Sequence, residues 1–415
     1  MVRQKLTRYG KDVGESDKIR YKAAAEAFGG IKDVKILGKE PFFAQAYSLG
    51  ARRFATNQAA NQILSGVPGQ AMQSLAVGFA VVLIIVLLGM NGSLVEILPL
   101  LAIYAFAIMR LMPNVLDFFH DAANIRYNSY LVDALYTDMT TLPLPPVRSD
   151  AEAIHEAPMV LPFTSHIDLQ GIVFSYPASR EPVLKAVDLH IERNTTIGFV
   201  GATGCGKTTL VDVIMGLLEP DAGSIVVDDV PVIAAPADSD TVNIVSWQRN
   251  FGYVPQQIYL SDDTVAANIA FGLPEDMRDM AMVEQAARVA NLHEFITTEL
   301  PDGYNTLVGE RGVRLSGGQR QRIGIARSLY HDPDILVMDE ATSALDSVTE
   351  DAVMDAIHNL KHSKTIILIA HRLSTVHECD MIYLMERGRI IARGAYDELI
   401  QNSHQFRAMA KTTEK

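Results

Sequence analysis

One glycine-rich octet, residues 201–208, constrains the fold of this chain more than any other stretch. Its sequence is Gly-Ala-Thr-Gly-Cys-Gly-Lys-Thr. It follows the apolar run 197–200, which predicts a buried strand, and it precedes a helical pattern over 209–218. A strand, a glycine-rich turn and a helix in this order predict a loop whose backbone N–H groups surround phosphate groups. A turn that is rich in glycine by chance is the alternative, and the flanking strand and helix disfavour it.

The side chains of the octet extend this interpretation. Glycine allows the backbone to turn its N–H groups inward, Lys207 has the length to reach the β- and γ-phosphates, and the Thr208 hydroxyl is a ligand for Mg²⁺. Cys205 is either a redox-sensitive thiol or a small residue that the loop tolerates. The residues that we expect around a nucleotide here are Gly201, Thr203, Gly204, Cys205, Gly206, Lys207, Thr208 and Thr209.

Composition narrows the class of protein. A chain of 415 residues has room for two or three domains, and its net charge of −13 argues against a nucleic-acid partner. The mean hydropathy of +0.12 is high for a soluble protein, and the apolar excess is concentrated in residues 71–119. Two cysteines are too few for a disulfide framework and are typical of a reducing compartment. The polar, basic N-terminus shows no secretory signal.

The N-terminal part, residues 1–65, predicts a helical extension in the cytoplasm. Its helical pattern is interrupted at Gly29-Gly30 and at Gly38, and residues 1–60 carry a surplus of Lys and Arg. Such a segment is either a solvated basic helix near a membrane surface or an element that docks onto another domain.

Two apolar runs then predict a membrane hairpin. Residues 71–89 contain no charge, a short turn follows at 89–93, and a second run covers 97–116. A tight loop puts both flanks on one side, and the basic N-terminal residues assign that side to the cytosol. A buried helical hairpin in a soluble protein is the alternative. Two membrane helices cannot enclose a polar path by themselves, so the pattern implies a partner, further membrane segments, or both.

Arg110 lies inside the second apolar run. Its side chain either extends to the lipid headgroups or faces a polar cavity that takes an anionic substrate. Pro113 follows it, and we expect this proline to kink the helix or to mark its exit from the membrane.

A proline-rich stretch ends the helical part, and residues 141–164 predict a linker. Strand and helix patterns alternate from residue 165 onward, which indicates a parallel α/β sheet. The apolar run 335–338 ends in Asp339 and Glu340. At the carboxyl end of a strand, we expect Asp339 to hold Mg²⁺ through water and Glu340 to deprotonate an attacking water.

A second anion site is predicted at Ser316, where a serine and two glycines precede a helix. One nucleotide does not need two phosphate sites in one chain, so this site implies the nucleotide of a partner. The residues concerned are Ser316, Gly317, Gly318 and Gln319.

Taken in order, the stretches 201–208, 315–319 and 335–340 resemble the Walker A, signature and Walker B motifs of ATP-binding cassette (ABC) proteins. The resemblance implies ATP and Mg²⁺ as ligands. It implies a P-loop NTPase α/β domain of the ABC type over 165–405, with a helical subdomain at about 257–330 and a tail at 406–415. It also implies an all-α transmembrane segment before this domain.

Further motifs resemble those of the same family. Tyr176 is similar to its adenine-stacking aromatic residue, Gln256 to its Q-loop glutamine, Asp346 to its D-loop aspartate and His371 to its switch histidine. The stretch 308–312 resembles a loop that precedes the signature in exporters. The resemblance implies that Glu340, His371 and Gln256 are catalytic, and that Thr208, Gln256 and Asp339 arrange Mg²⁺.

The membrane part resembles that of an exporter-type half-transporter, with a coupling helix near 29–37 and the fifth and sixth of six membrane helices at 71–89 and 97–116. The first four helices are missing from this pattern, which suggests a fragment, a late start codon or a split transporter. Two segments, 31–40 and 109–113, are similar to bacterial lipid-linked oligosaccharide flippases. The expected location is the bacterial inner membrane.

The resemblance implies a homodimer, or a heterodimer with another half-transporter, that exports or flips a lipid, a lipid-linked sugar, a peptide or a drug. Three alternatives remain open at this point. They are an ATPase module that energises a separate membrane protein, a non-transporting cassette that acts on chromosomes or ribosomes, and an inactive fragment.

Overall fold

The computed structural model describes residues 2–91, 94–141, 160–177, 179, 181–235, 244–340, 354, 360–370 and 372–413. The chain divides into two compact units, which we call the helical unit (Met1–Asp150) and the cassette (Ala151–Lys415). Each unit is described by itself below.

The described residues of the helical unit form four helices. They are α1 (Val2–Gly29), α2 (Ile31–Ile36), α3 (Glu40–Asn91) and α4 (Leu94–Thr141). The interruptions fall at the glycines, since Gly30 precedes α2 and Gly38 follows it with a φ of +60°. Helix α1 packs against both α3 and α4, and these two long helices contact each other. The Tyr104 hydroxyl of α4 donates to the Ala76 carbonyl of α3 at 3.0 Å.

The two long helices differ from the short spans that we expected at 71–89 and 97–116. Helix α3 has 52 residues and α4 has 48, and the proline at position 113 lies inside α4 without ending it. Helix-forming sequence flanks both apolar runs, and a proline removes only one hydrogen bond of the ladder. By length and composition, the candidate membrane spans are Glu40–Val86 and Ala102–Thr141, and their most apolar windows are not buried.

The cassette contains an antiparallel sheet of four strands. Its order is β2-β1-β4-β5, with β1 at His166–Phe174, β2 at Leu184–Glu192, β4 at Ala222–Val227 and β5 at Val230–Ala235. Buried and exposed side chains alternate along β2, as expected for a strand with one face on a core.

A second sheet of six strands carries the parallel core of the cassette. Its order is β10-β9-β3-β8-β7-β6, and all neighbours are parallel except β10, which runs antiparallel to β9. Every residue of β3, β7 and β8 is buried, as in a sheet covered on both faces. The strands are β3 (Thr196–Gly201), β6 (Phe251–Val254), β7 (Ile335–Asp339), β8 (Thr365–Ile369), β9 (Met381–Glu386) and β10 (Arg389–Gly394).

Helices surround the sheets of the cassette. The described helices are α5 (Lys207–Ile214), α6 (Ile244–Gln248), α7 (Val265–Ile269), α8 (Met280–Val289), α9 (His293–Thr298), α10 (Gly317–Leu329), α11 (Tyr396–Asn402) and α12 (His404–Thr413). Trp247, the single tryptophan of the chain, lies in the core and donates its indole N–H to the Ile214 carbonyl at 2.8 Å.

Two boundaries in the cassette correct the expectations from the sequence. Helix α5 ends at Ile214 rather than near 218, since Gly216 adopts a φ of +68° and Leu217 N–H turns back to the Asp212 carbonyl. Within the tail that we expected at 406–415, α12 is helical to Thr413 and Phe406 is fully buried, so the described part of this segment packs on the cassette.

The predicted linker, residues 141–164, lies mostly outside the described residues. Its described end already belongs to the cassette, because Phe163 is buried and Leu161 N–H donates to the Ser246 carbonyl at 3.2 Å.

Candidate nucleotide-binding site

The site residues come from one edge of the parallel sheet. The octet follows β3, Gln256 follows β6, and Asp339 is the last residue of β7. Strand β8 lies between β3 and β7, and all four strands are parallel. Because their carboxyl ends meet at the same edge, residues that are far apart in sequence are brought to one cleft.

The octet forms a loop that only glycine accommodates at two positions. Gly204 and Gly206 have φ values of +78° and +107°, in the region that side chains disfavour. A Cβ atom on Gly206 would also lie 3.1 Å from the Leu184 Cδ2 atom. Gly206 precedes α5, whose first N–H groups have no partners within the helix. The loop therefore ends in a group of donors suited to an anion.

Lys207 is held inside this loop. Its side chain is buried, and its Nζ atom donates to the Gly201 carbonyl at 2.8 Å and to the Ala202 carbonyl at 3.4 Å. A phosphate is a stronger partner than a carbonyl oxygen for an ammonium group, so the same cation suits an incoming phosphate. Cys205 is buried, with its Sγ atom 4.0 Å from Lys207 Nζ. This burial favours the interpretation of Cys205 as a small packed residue rather than a redox switch.

Tyr176 borders the cleft next to the loop. Its hydroxyl lies 3.2 Å from the Thr209 hydroxyl, and the Phe174 ring meets it edge-on with centroids 5.0 Å apart. Tyr176 remains 43% exposed, which leaves surface on which a planar base can stack. The cleft has a volume of about 330 Å³ and is lined by Tyr176, Val183, Thr203, Gly204, Gly206, Lys207, Thr208, Thr209 and Glu340.

Glu340 has an unusual backbone at the wall of this cleft. Its φ is +49°, a conformation that costs a residue other than glycine about 1–2 kcal/mol. Its N–H donates to the Ile369 carbonyl at 3.0 Å, which holds the backbone there. The Gln256 Nε2 atom donates to Glu340 Oε2 at 2.6 Å. The structure thus brings together a carboxylate and an amide that are 84 positions apart in sequence.

Carboxylates next to the cleft affect a neighbouring tyrosine. Asp339 is buried at the end of β7. Burial, together with the negative charges of Asp339 and Asp212, raises the pKa of Tyr253 to about 12. Burial also raises the pKa of Asp212. Tyr253 is therefore a neutral phenol at physiological pH.

The residues present fit a magnesium ion. Thr208 supplies a hydroxyl, Asp339 a carboxylate and Gln256 an amide oxygen, which are the hard oxygen ligands that Mg²⁺ prefers. Within the described parts of the chain, no group of three or more His, Cys, Asp or Glu side chains is placed to hold a metal. A cation here therefore needs oxygen ligands of other types, which a bound nucleotide's phosphates supply.

The predicted signature residues lie at the N-terminus of α10. The Ser316 hydroxyl accepts from Gln319 N–H at 3.2 Å, and Gln319 Oε1 accepts from Ser316 N–H at 2.8 Å. This reciprocal capping box fixes the start of the helix and occupies the Gln319 side chain. Ser316 and Gly317 are exposed and Gly318 is partly exposed, so this turn is accessible to a second molecule.

The described structure does not test the roles of three further predicted residues. Asp346 and His371 lie outside the described residues. Arg110 is exposed on α4 in the helical unit. Their roles stay predictions.

Two polar residues in the cassette were missed from the sequence. Asn268 is fully buried, and Arg327 donates to its backbone carbonyl at 2.8 Å. The available signal was an asparagine inside the apolar run 265–270, because an amide is buried only when its hydrogen bonds are satisfied.

Comparisons with known proteins agree with this geometry. Residues 184–343 match the family described as ABC transporter. A solved structure of a bacterial Atm1-family ABC exporter with ATP bound superimposes on the whole chain with a TM-score of 0.84 and 26% sequence identity, and the chain covers 69% of it. The chain therefore resembles ABC exporters over its whole length, and part of its cassette matches the ABC transporter family. Its long helices α3 and α4 correspond to membrane helices of such an exporter, and its cassette corresponds to the ABC-type ATPase domain, as the motifs predicted.

Two curated relatives are longer than the chain. The heterocyst differentiation ATP-binding protein HepA of Nostoc sp. is 34% identical over 380 residues, which are 91% of this chain and 59% of HepA. An ATP-dependent lipid A-core flippase of Chromobacterium violaceum is 42% identical over 242 residues, which are 58% of this chain and 40% of the flippase. The chain thus spans about three fifths or less of each.

Proposed function

We propose that this chain is the ATP-hydrolysing subunit of an ABC exporter or flippase, which couples ATP binding and hydrolysis to movement of a substrate across a membrane. The contact that carries the proposal is the hydrogen bond between Gln256 and Glu340 at the wall of the Lys207 cleft. A carboxylate and an amide held together at this cleft support a reaction at the terminal phosphate of a nucleotide bound there.

Each residue of the cleft has a distinct task in this reaction. Lys207 and the loop amides bind the phosphates, and Tyr176 stacks on the adenine. Asp339, Thr208 and Gln256 would hold Mg²⁺, which when bound neutralises charge on the phosphate oxygens. Glu340 orients the attacking water and accepts its proton. The Gln256 hydrogen bond and the bond from Glu340 N–H keep the carboxylate in position before ATP arrives.

A second chain completes the site. We propose that the Ser316 hydroxyl and the amides of Gly317 and Gly318 bind the terminal phosphate held by a partner cassette, and that His371 and Asp346 act at the same interface. The exposure of the Ser316 turn supports this assignment. The partner is a second copy of this chain or another ABC half-transporter.

The substrate is proposed from the helical unit. Helices α3 and α4 expose many large apolar side chains, which suits a lipid environment and a lipid-like or otherwise amphipathic substrate. One relative is described as a lipid A-core flippase, which agrees with this class. Arg110 would bind an anionic group of such a substrate. The location is proposed as a bacterial plasma membrane, with the cassette in the cytoplasm.

The decisive experiment substitutes the base. Glu340→Gln keeps the shape of the side chain but removes the proton acceptor, so we expect ATP turnover to fall by about 10²–10⁴-fold while ATP binding persists. The measurements are phosphate release and ATP retention of the purified chain in lipid nanodiscs, with ATP-dependent pairing followed by size. Glu294→Gln, on the exposed start of α9, is the matched control and keeps normal turnover.

Two outcomes contradict the proposal. Normal turnover of Glu340→Gln removes Glu340 from the role of base. A wild-type chain that neither retains ATP nor pairs in its presence rejects the assigned function as a whole.

A further inference from the structure

The signature helix α10 also contacts the segment that follows Gln256. Midway along α10, a Cβ atom on Gly324 would lie 2.5 Å from the Ile258 Cδ1 atom. Ile258 is only two positions after Gln256. The helix backbone therefore closes directly on the Q-loop segment, and the absence of a side chain at Gly324 permits this approach.

One turn further along the same face, Arg327 binds that segment. Its Nη1 atom donates to the Tyr259 carbonyl at 2.8 Å, its Nε atom to the Asn268 carbonyl at 2.8 Å, and its Nη2 atom to Asn268 Oδ1 at 3.1 Å. The guanidinium also lies 4.4 Å from the centroid of the Phe271 ring. Burial lowers the pKa of Arg327. Three oxygen acceptors compensate for the lost water, and they use the planar fork of donors that only arginine has.

Asn268 closes the segment from the other side. Its Oδ1 atom accepts from Ser261 N–H at 2.9 Å and from the Ser261 hydroxyl at 3.2 Å. Its Nδ2 atom donates to the Ser261 and Thr264 carbonyls, both at 3.0 Å. The side chain is fully buried and uses both of its amide protons. Segment 258–268 is therefore a closed loop that is fastened to α10 through Arg327.

We propose that Arg327 and Asn268 are positioning residues that link the two ATP sites of the cassette, a link that rests on the function proposed above. Helix α10 has 13 residues, so it is about 20 Å long, with Ser316 before one end and Arg327 near the other. When Ser316 binds a partner's nucleotide and moves, helix α10 transmits this movement to segment 258–268. That segment then sets the contact of Gln256 with Glu340 in the chain's own site.

The link predicts an effect on catalysis rather than on ATP binding. Lys207 is the first residue of α5 and Tyr176 follows β1, whereas Arg327 binds residues 259 and 268, so the two residues do not depend on Arg327. Gln256 does depend on it, and a small displacement of a catalytic group lowers the rate strongly.

The test compares three variants of the full chain in lipid nanodiscs. Arg327→Met keeps the length of the side chain and removes its donors, and we expect kcat to fall about tenfold with KM for ATP within about twofold. Amide hydrogen exchange should accelerate in residues 257–268 and stay unchanged in α5. Arg327→Lys restores one or two donors, and its loss should be about threefold. Arg288→Met is the control, because Arg288 is exposed and pairs only with Glu284 at 3.5 Å among the described residues.

Three results overturn the link. They are kcat of Arg327→Met within twofold of wild type, unchanged exchange in residues 257–268, and a joint loss of ATP binding with faster exchange in α5, which marks a general structural role. If Arg327→Met does not fold, Arg327→Lys carries the same test. A wild-type chain that binds ATP without hydrolysing it rejects the proposed function, and the exchange measurement still decides whether Arg327 holds the segment.

Discussion

Large apolar side chains are buried in the core of the cassette, but they lie on the surface of the helical unit. In the cassette, Trp247, Phe199 and Phe406 are fully buried. In the helical unit, Phe106 and Met109 of α4 are 71% and 78% exposed. The cassette is therefore stabilised by its own hydrophobic core, whereas the apolar surface of the helical unit needs a lipid or protein environment.

The helices of the helical unit approach one another at small residues instead. A Cβ atom on Gly10 of α1 would lie too close to the Tyr127 carbonyl oxygen of α4, and one on Gly14 would lie 2.5 Å from the Tyr130 ring. On α3, Gly50 lies against the Ser16 carbonyl of α1, where a Cβ atom would be 3.1 Å away. Because glycine has no side chain, the backbone of α1 approaches α3 and α4 closely at these positions.

The largest expected effect tests whether the buried Lys207 cation serves ATP binding rather than the stability of the cassette core. Lys207→Met removes the ammonium but keeps most of the volume. We expect ATP affinity to fall at least about 100-fold, since the charged contacts to phosphate contribute about 3 kcal/mol. The stability of the ATP-free cassette should change by less than about 1 kcal/mol, because Gly201 and Ala202 lose only hydrogen bonds to their carbonyls.

Nucleotide titration and urea unfolding measure these two quantities, and Trp247 fluorescence reports on the cassette core. Lys185→Met is the matched control, since Lys185 pairs with Glu181 at 3.4 Å near the surface. A large loss of stability in Lys207→Met would mean that this buried cation supports the core rather than the ligand.

A smaller effect is expected where the helical unit packs through glycine. Gly10→Ala inserts a methyl group against the Tyr127 carbonyl, and overpacking of this kind costs about 1–3 kcal/mol. Gly78→Ala on α3 meets no atom within 4 Å and should instead stabilise its helix by up to about 1 kcal/mol. Thermal unfolding in detergent, followed by helical circular dichroism, measures both changes.

The Trp247 transition should not move in either variant, because the substitutions lie outside the cassette core. If Gly10→Ala changes the thermal stability in the same way as Gly78→Ala, the contact between α1 and α4 is not tight. The two units would then differ only in the exposure of their large apolar side chains.

The parts of the site that the sequence predicted are those set by local pattern. The loop at 201–208 follows from its glycines between a strand and a helix, and Asp339 follows from the end of a buried strand. The pairing of Gln256 with Glu340 was not predictable, because each follows a different strand and only the sheet order brings them together. The hydrogen bond from Arg327 to Asn268, which are 59 positions apart, was not predictable for the same reason.

The fold was predictable to a similar degree. Alternating strands and helices indicated the parallel sheet, whereas the lengths of α3 and α4 were underestimated. Apolar content marks only the lipid-exposed part of a helix, and the helix itself continues as long as no strong breaker intervenes. Phe406 was assigned to a tail because a short amphipathic segment does not show what its apolar face contacts.

The smallest expected effect tests the hydrogen bonds between the Asp228 carboxylate and residues 164–166, which lead into the first strand of the cassette. The Asp228 carboxylate accepts from Thr164 N–H at 2.5 Å and its hydroxyl at 2.8 Å, from Ser165 N–H at 2.8 Å and from His166 N–H at 2.9 Å. Burial raises the pKa of Asp228, but these four donors outweigh it and hold the pKa below its ordinary value of 3.8. Asp228→Asn should cost about 1 kcal/mol at pH 7.

The pH dependence separates charge from shape in this last variant. A carboxylate whose folded pKa is depressed stabilises the fold above its unfolded pKa and loses that contribution as pH falls through the folded value. The difference between wild type and Asp228→Asn in urea unfolding, followed by Trp247, should therefore shrink below about pH 3.8. Asp229→Asn is the matched control, since Asp229 is exposed and shares the positive φ. If the difference in unfolding free energy between wild type and Asp228→Asn is the same at pH 7 and pH 3, the effect comes from packing. A contribution from the carboxylate charge would depend on pH.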